Sequence, residues 1–171
     1  FTLCRADTAG ISLLETHHGE AVFRWEALAG VYAPHRNNTM PRDASPCGTT
    51  IDRNATQLMY MAERIFPALK ADPPVVEALL IPFHVNGRPV GTVWVVSHDE
   101  KRKFDSEDER IVTTLSQFAA AGWQLWVAQT TVEQAVESER RQKEDLAKSN
   151  EGLQREEIEN NRTEETLRHS L

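Results

Sequence analysis

Cysteine is nearly absent from this chain of 171 residues: there are two, Cys4 and Cys47. They form no metal-binding or redox spacing, and such sparse use of thiols points to a reducing compartment, so a cytoplasmic location is expected. No apolar run approaches the roughly 18 residues that a membrane span needs, and no signal peptide precedes the first polar segment. Asn54-Ala55-Thr56 has the form of a glycosylation acceptor, with nothing else pointing to secretion. Basic excess is missing too. Lys and Arg number 19 against 26 Asp and Glu, a net charge of -7, so neither nucleic acid nor a membrane is an expected partner. The chain has no phosphate-cradling glycine loop, no nucleophile elbow and no paired catalytic carboxylates, so no enzymatic activity is expected of these residues. No proline follows Pro89, and no aromatic residue lies between Glu137 and Leu171.

What the last third has instead is a seven-residue repeat. Ile111, Phe118, Leu125, Val132, Leu146, Leu153 and Leu167 share one register, broken only at Glu139 and Asn160. That spacing keeps an apolar seam on one helix face and lets two such helices supercoil, so a homodimer through the C-terminal helix is expected. The alternate core positions Gln129, Lys143, Asn150, Glu157 and Glu164 are polar. Polar groups there lower stability and can set register or oligomeric state. From Glu137 onward, 17 of 35 residues are charged with both signs mixed, which suits a solvated helix surface. All four Trp and all six Phe lie before residue 127, so the hydrophobic core belongs to the first 130 or so residues.

Within that core region the pattern changes from period to alternation. Ala9 to Glu15 reads as a strand. After a polar turn at His17 to Glu20, Ala21, Phe23, Trp25 and Ala27 alternate onto one face of a second strand. Gly30 to Arg53 is polar and irregular, a length of connection that usually carries function. Thr56 to Met61 reads as a short strand, and Glu63 to Ala71 as a short helix disturbed by Pro67. Leu79 to Val85 and Val90 to Val96 flank Asn86-Gly87, whose residue types fit the two positive-φ positions of a type I′ turn. Pro82 points to an edge or a bulge. Ser106 and Glu109 have the spacing of a capping box at the start of the long helix, with acids crowding its first turn.

Taken in order, AGISLLE, FRWEALAG, Asp43-Ala-Ser-Pro-Cys-Gly48, Glu77-Ala-Leu-Leu-Ile-Pro-Phe83, Pro89-Val-Gly-Thr-Val-Trp-Val95 and Phe104-Asp-Ser-Glu-Asp108 resemble a GAF domain. The nearest type is that of bacterial sensor histidine kinases. The resemblance spans about residues 1–128 and implies an α/β (more narrowly α+β) fold: a central antiparallel sheet flanked by helices, with a small-molecule pocket between sheet and irregular loop. Residues 129–171 resemble the signalling helix that leads to an output domain, and 161–171 resemble the last turns before a kinase dimerisation domain or a second sensor domain. The chain opens on Phe1 rather than Met, so it is expected to be a piece of a longer protein, with the family's leading helix truncated and a covalently linked kinase or other output domain beyond it.

The candidate ligand-binding residues are Arg42, Asp43, Ser45, Cys47 and Thr49 from the polar loop, over a floor of Trp25, Met59 and Phe83. A plainer alternative has Arg42, Asp43 and Ser45 capping a helix and satisfying the loop's own backbone. Cys47 sits at an expected helix start, where a thiolate is stabilised, so it is a candidate redox switch; the alternative is a small buried apolar residue. Gly48, not His, follows it, so the resemblance does not support a bilin, and no motif supports haem. His17-His18 suit a turn better than a metal site. His169 lacks the acidic neighbour that marks a phospho-accepting histidine. The function expected is that of a sensory module of a two-component protein. A ligand-free dimerisation spacer, a redox sensor through Cys47 and the sensor of a diguanylate cyclase are the alternatives.

Overall fold

Two hairpins supply the middle of one sheet. In a computed structural model describing residues 4–169, with side chains described through 158 and at 162, β1 (Thr8–His17) turns through His18-Gly19 into β2 (Glu20–Gly30). The second hairpin joins β5 (Glu77–Val85) to β6 (Arg88–Ser97) through Asn86 (φ 51°) and Gly87 (φ 74°), the two positive-φ positions expected there. With the short strands β3 (Thr39–Pro41) and β4 (Gln57–Tyr60), these form a six-stranded sheet in the order β3-β2-β1-β6-β5-β4, antiparallel throughout. Two helices complete the fold, α1 (Pro46–Arg53) and the 64-residue α2 (Ser106–His169).

The central strands are buried on both faces, so β5 and β6 read as nearly continuous apolar runs. Ala78, Leu80, Trp94 and Val96 face a core under α1 and the loops. Leu79, Ile81, Phe83, Val93 and Val95 face a second core, completed by Phe104 and Val112. Pro82 is tolerated because β4 reaches only to Leu80, leaving that stretch of β5 an edge, and a bulge follows at Phe83/His84.

Three sequence expectations change. Glu26 has no partner on β1, because Ile11 pairs with Ala27 and Ser12 with Trp25. This bulge reverses the alternation: Phe23, Trp25 and Leu28 belong to the first core, while Ala27 turns to the other face. The helix expected over 63–71 is a single tight turn, Ala62–Arg64. Pro67 supplies no N–H and would clash with the Glu63 carbonyl in a helix. The Glu63 side chain instead accepts the Val75 amide at 3.0 Å. The cap of α2 falls one residue earlier than the Ser106/Glu109 box. Asp105 Oδ1 accepts the amides of Glu107 (2.9 Å) and Asp108 (3.0 Å), and Asp108 Oδ2 accepts the Asp105 amide at 3.0 Å. A short Asp reaches back from N3 as well as the expected Glu would.

The first turns of α2 are bolted to the sheet. Buried Glu77 accepts the Phe104 amide at 2.6 Å. Arg102 Nη2 donates to the Cys4 carbonyl at 2.7 Å and to Asp108 at 2.5 Å. Contacts divide the chain between Gln124 and Leu125 into two units. In the second unit, Arg140, Arg141 and Lys143 pair with Glu137, Glu139 and Glu144 along the helix, while Leu125, Val132, Leu146 and Leu153 stand 61–73% exposed. Leu167 and His169 lie outside the residues whose side chains are described, as does Phe1 to Leu3 in its entirety.

Candidate functional site

The polar loop is largely ordered by local chemistry. Ser45 takes an extended conformation, and its hydroxyl accepts the Gly48 amide at 3.0 Å while donating to the Arg42 carbonyl at 2.9 Å. It is the N-cap of α1, with Pro46 at the first helical position. Gly48 is required by proximity, since a Cβ there would sit 2.0 Å from the Arg42 carbonyl oxygen. Arg42 lies outside, paired with Asp43 at 2.7 Å and with Asp52. The capping alternative therefore describes Ser45, and ion pairing describes Arg42 and Asp43.

Between α1, the loops and the sheet lies an apolar cavity of about 50 Å³, lined by Trp25, Tyr32, Met40, Pro46, Cys47, Ala62, Leu69, Val75, Ala78, Leu80, Trp94 and Val96. The Trp25 and Trp94 rings meet edge to face at 6.4 Å. Three side chains of this lining spend their polar atoms within the protein. Tyr32 Oη donates to the Pro73 carbonyl at 2.5 Å, and Trp94 Nε1 donates to Ser12 Oγ at 2.8 Å. Cys47 Sγ accepts from Thr92 Oγ1 at 3.1 Å. Burial raises the Tyr32 hydroxyl above its ordinary range, helped by the charges of Glu63 and Asp72. Burial also pushes the Cys47 thiol up, against hydrogen bonds from Thr92 and Ser12 that pull it down. Cys47 is thus a neutral thiol at pH 7, and its place at a helix start does not make it a thiolate. Cys4, also buried, has its thiol pushed up mainly by desolvation.

A second depression of about 80 Å³ shares Trp25 and Tyr32 with the cavity and is polar: His35, Asn38, Lys70, Ala71 and Asp72 complete it. His98 Nδ1 donates to the Pro74 carbonyl at 2.8 Å, leaving Nε2 to accept from the Thr8 hydroxyl at 3.1 Å. That bridge ties the loop over the cavity to two strands.

Of the sequence-derived candidates, the structure brings Trp25 and Cys47 together on the cavity wall. Met59 belongs to the same core without lining the space, and Thr49 is half-buried on α1 away from it. Phe83 packs on the opposite face of the sheet. Sequence reading passed over Ala78, Leu80, Trp94 and Val96 as lining, although their strand alternation carries that signal. It had no means of finding Met40, Ala62, Leu69 or Val75, which reach the cavity from the short strand β3, a single helical turn and irregular connections. Among the described residues, no group of three or more His, Cys, Asp or Glu could hold a metal ion, and no helix is long and apolar enough to cross a membrane.

Comparison with known proteins bears on the fold. The second GAF domain (GAF-B) of DevS from Mycobacterium smegmatis superposes with a TM-score of 0.61 at 20% identity, over 77% of this chain and 89% of that one. The GAF domain of a phosphoenolpyruvate-protein phosphotransferase from Coxiella burnetii gives 0.61 at 20% identity, over 74% and 76%. A type II free methionine-R-sulfoxide reductase from Thermoplasma acidophilum gives 0.53 at 18% identity, over 68% and 77%. No curated protein matches the sequence. At these identities the likeness is one of fold, and it spans proteins of different activity. The GAF domain family profile itself matches residues 2–124. With its six-stranded antiparallel sheet, α1 and the first turns of α2 within that span, the chain belongs to the GAF domain family, a family of sensory and regulatory modules.

Proposed function

We propose that this chain is the sensory module of a cytoplasmic two-component signalling protein of the histidine kinase type, acting as a homodimer through α2. A change of state in the cavity shifts the first turns of α2, and the paired helices carry that shift to a covalently linked output domain. A ligand drives such a shift only through different affinities for the two states. The observation that carries the reading is the seam. Phe118, Leu125, Val132, Leu146 and Leu153, seven or fourteen residues apart, are each more than 60% exposed, while the charges around Arg140 are paired along the helix. With the seam at d, the a positions are Leu115, Gly122, Gln129, Val136, Lys143 and Asn150. The polar residues among them, Gln129, Lys143 and Asn150, lower stability and can fix register or oligomeric state. Sedimentation equilibrium tests this: a dimer is expected at micromolar concentration, and a concentration-independent monomer would sink the proposal.

A second reading, the ligand-free spacer, is favoured by one feature: the cavity is small and most of its side-chain polar atoms are already bonded. Under it the dimer persists while nothing added to solution alters α2. A redox role for Cys47 has less support, because the thiol is buried and raised. A diguanylate cyclase output would use the same relay.

A further inference from the structure

We propose that the cavity beneath α1 is a binding site for a small, uncharged, apolar molecule in the size class of a dissolved gas. Its role as a signal rests on the sensory reading above; the binding itself does not. The first argument is volume. An enclosed apolar cavity of about 150 Å³ accepts benzene, so the 50 Å³ found here scales to a guest of about two or three heavy atoms. Nucleotides and other drug-sized ligands occupy pockets of about 300–1,000 Å³ and would need the lining displaced.

The second argument is hydrogen bonding. A polar guest needs free donors or acceptors, and three lining side chains have already committed theirs: Tyr32 to Pro73, Trp94 to Ser12, Cys47 to Thr92, which leaves the Trp25 indole N–H as the one side-chain donor of the lining outside these bonds. Water has the same difficulty, because a buried water needs two to four polar partners and the lining offers few. The indole rings of Trp25 and Trp94, with the Met40 and Cys47 sulfurs, make a polarisable wall that favours an apolar guest by dispersion.

The third is access. Trp25 and Tyr32 belong to both the cavity and the polar depression outside it. They border both spaces, and the Tyr32 hydroxyl between them is bonded to the Pro73 carbonyl. A guest this small has few contacts to offer, which limits its affinity to about the millimolar range.

Xenon is the probe. Proton–nitrogen correlation spectra of the whole chain under xenon pressure are expected to show saturable shifts of the Trp25 and Trp94 indole N–H signals. Ala78→Val, which extends a side chain into the space, is expected to weaken binding at least tenfold. Val96→Ile, a one-carbon addition on the neighbouring strand, serves if the first variant does not fold. A cyclic nucleotide at the same concentration is expected to leave both indoles unmoved. Xenon shifts that fail to saturate, that persist in both filled variants, or that a nucleotide reproduces would overturn the proposal. If xenon binds while dimer dissociation stays unchanged, the ligand class stands and the relay reading fails. If the dimer forms and xenon does not bind, the relay survives and this proposal falls.

Discussion

The residues before Leu125 and those after it solve opposite problems. In the sheet unit, the core groups are satisfied from within: Phe23 and Val112 are fully buried, and buried Ser45, Thr92 and Glu77 all have partners, with the buried Arg102 Nε an exception. In the helical unit, polar groups are satisfied and apolar ones are not, with ion pairs along the helix and leucines in solvent. A helix with one exposed apolar stripe and charges elsewhere is complete only against a partner. The first unit thus buries its large side chains within itself, whereas the second leaves an apolar stripe exposed.

The largest effect that separates the two units is expected from Phe23→Ala. It empties a fully buried site in the first core and should cost about 3–5 kcal/mol of stability. A denaturant titration should show the loss in the sheet unit, and an unchanged midpoint would contradict the assignment of that core. Next comes the seam. Leu146→Asp with Leu153→Asp should turn the dimer into a monomer in sedimentation while the sheet unit's unfolding midpoint moves little, since both side chains are exposed. A parallel fall in both would mean the units are not independent. Ser45→Ala removes the cap of α1 and should cost about 1 kcal/mol. The measurement is the thermal midpoint, with Thr49, which is not part of the cap, changed to Ala for comparison.

Two smaller effects concern titration and thiol reactivity. The hydrogen bond from Arg24, aided by its charge, lowers the Glu15 pKa. A depressed carboxylate stabilises the fold above its unfolded pKa of about 4.3, and that contribution disappears as pH falls through the lower, folded value. The pair is part-exposed, so the effect is small. Arg24→Met should flatten the dependence of the thermal midpoint on pH below about 4.3, and an unaltered slope would remove Glu15 from the account. Finally, Cys4 and Cys47 should react with a thiol reagent only on unfolding, because both are buried and raised. Rapid labelling of Cys47 in the native protein would revive the redox reading.

Much of this architecture was legible in local pattern. The turn at Asn86-Gly87 follows from residue types that tolerate positive φ, and the start of α2 from a cluster of acids after Phe104. The errors are equally physical. A capping box has two possible frames when acids stand at 105, 107, 108 and 109, and only hydrogen-bond geometry chooses between them. The short helix over 63–71 failed because Pro67 outweighed the apolar spacing. The site was less legible than the fold. Polar loop residues resemble ligand contacts in sequence, yet Arg42 and Ser45 serve the loop and α1. The cavity wall is made instead from apolar residues that look like ordinary core.

The sequence by itself determined what repeats or acts locally: the strands other than β3, the hairpin turns, the helix start to within a residue, and the seven-residue seam. These depend on neighbours a few positions apart. Only the tertiary structure decided what depends on distant partners. The bulge at Glu26 moved Leu28 into the first core and Ala27 out of it, because pairing with β1 skips a residue. The lining of the cavity, and the commitment of its polar atoms to Ser12, Thr92 and Pro73, join segments as far apart as Ser12 and Trp94. Such contacts follow from packing, which no local pattern encodes.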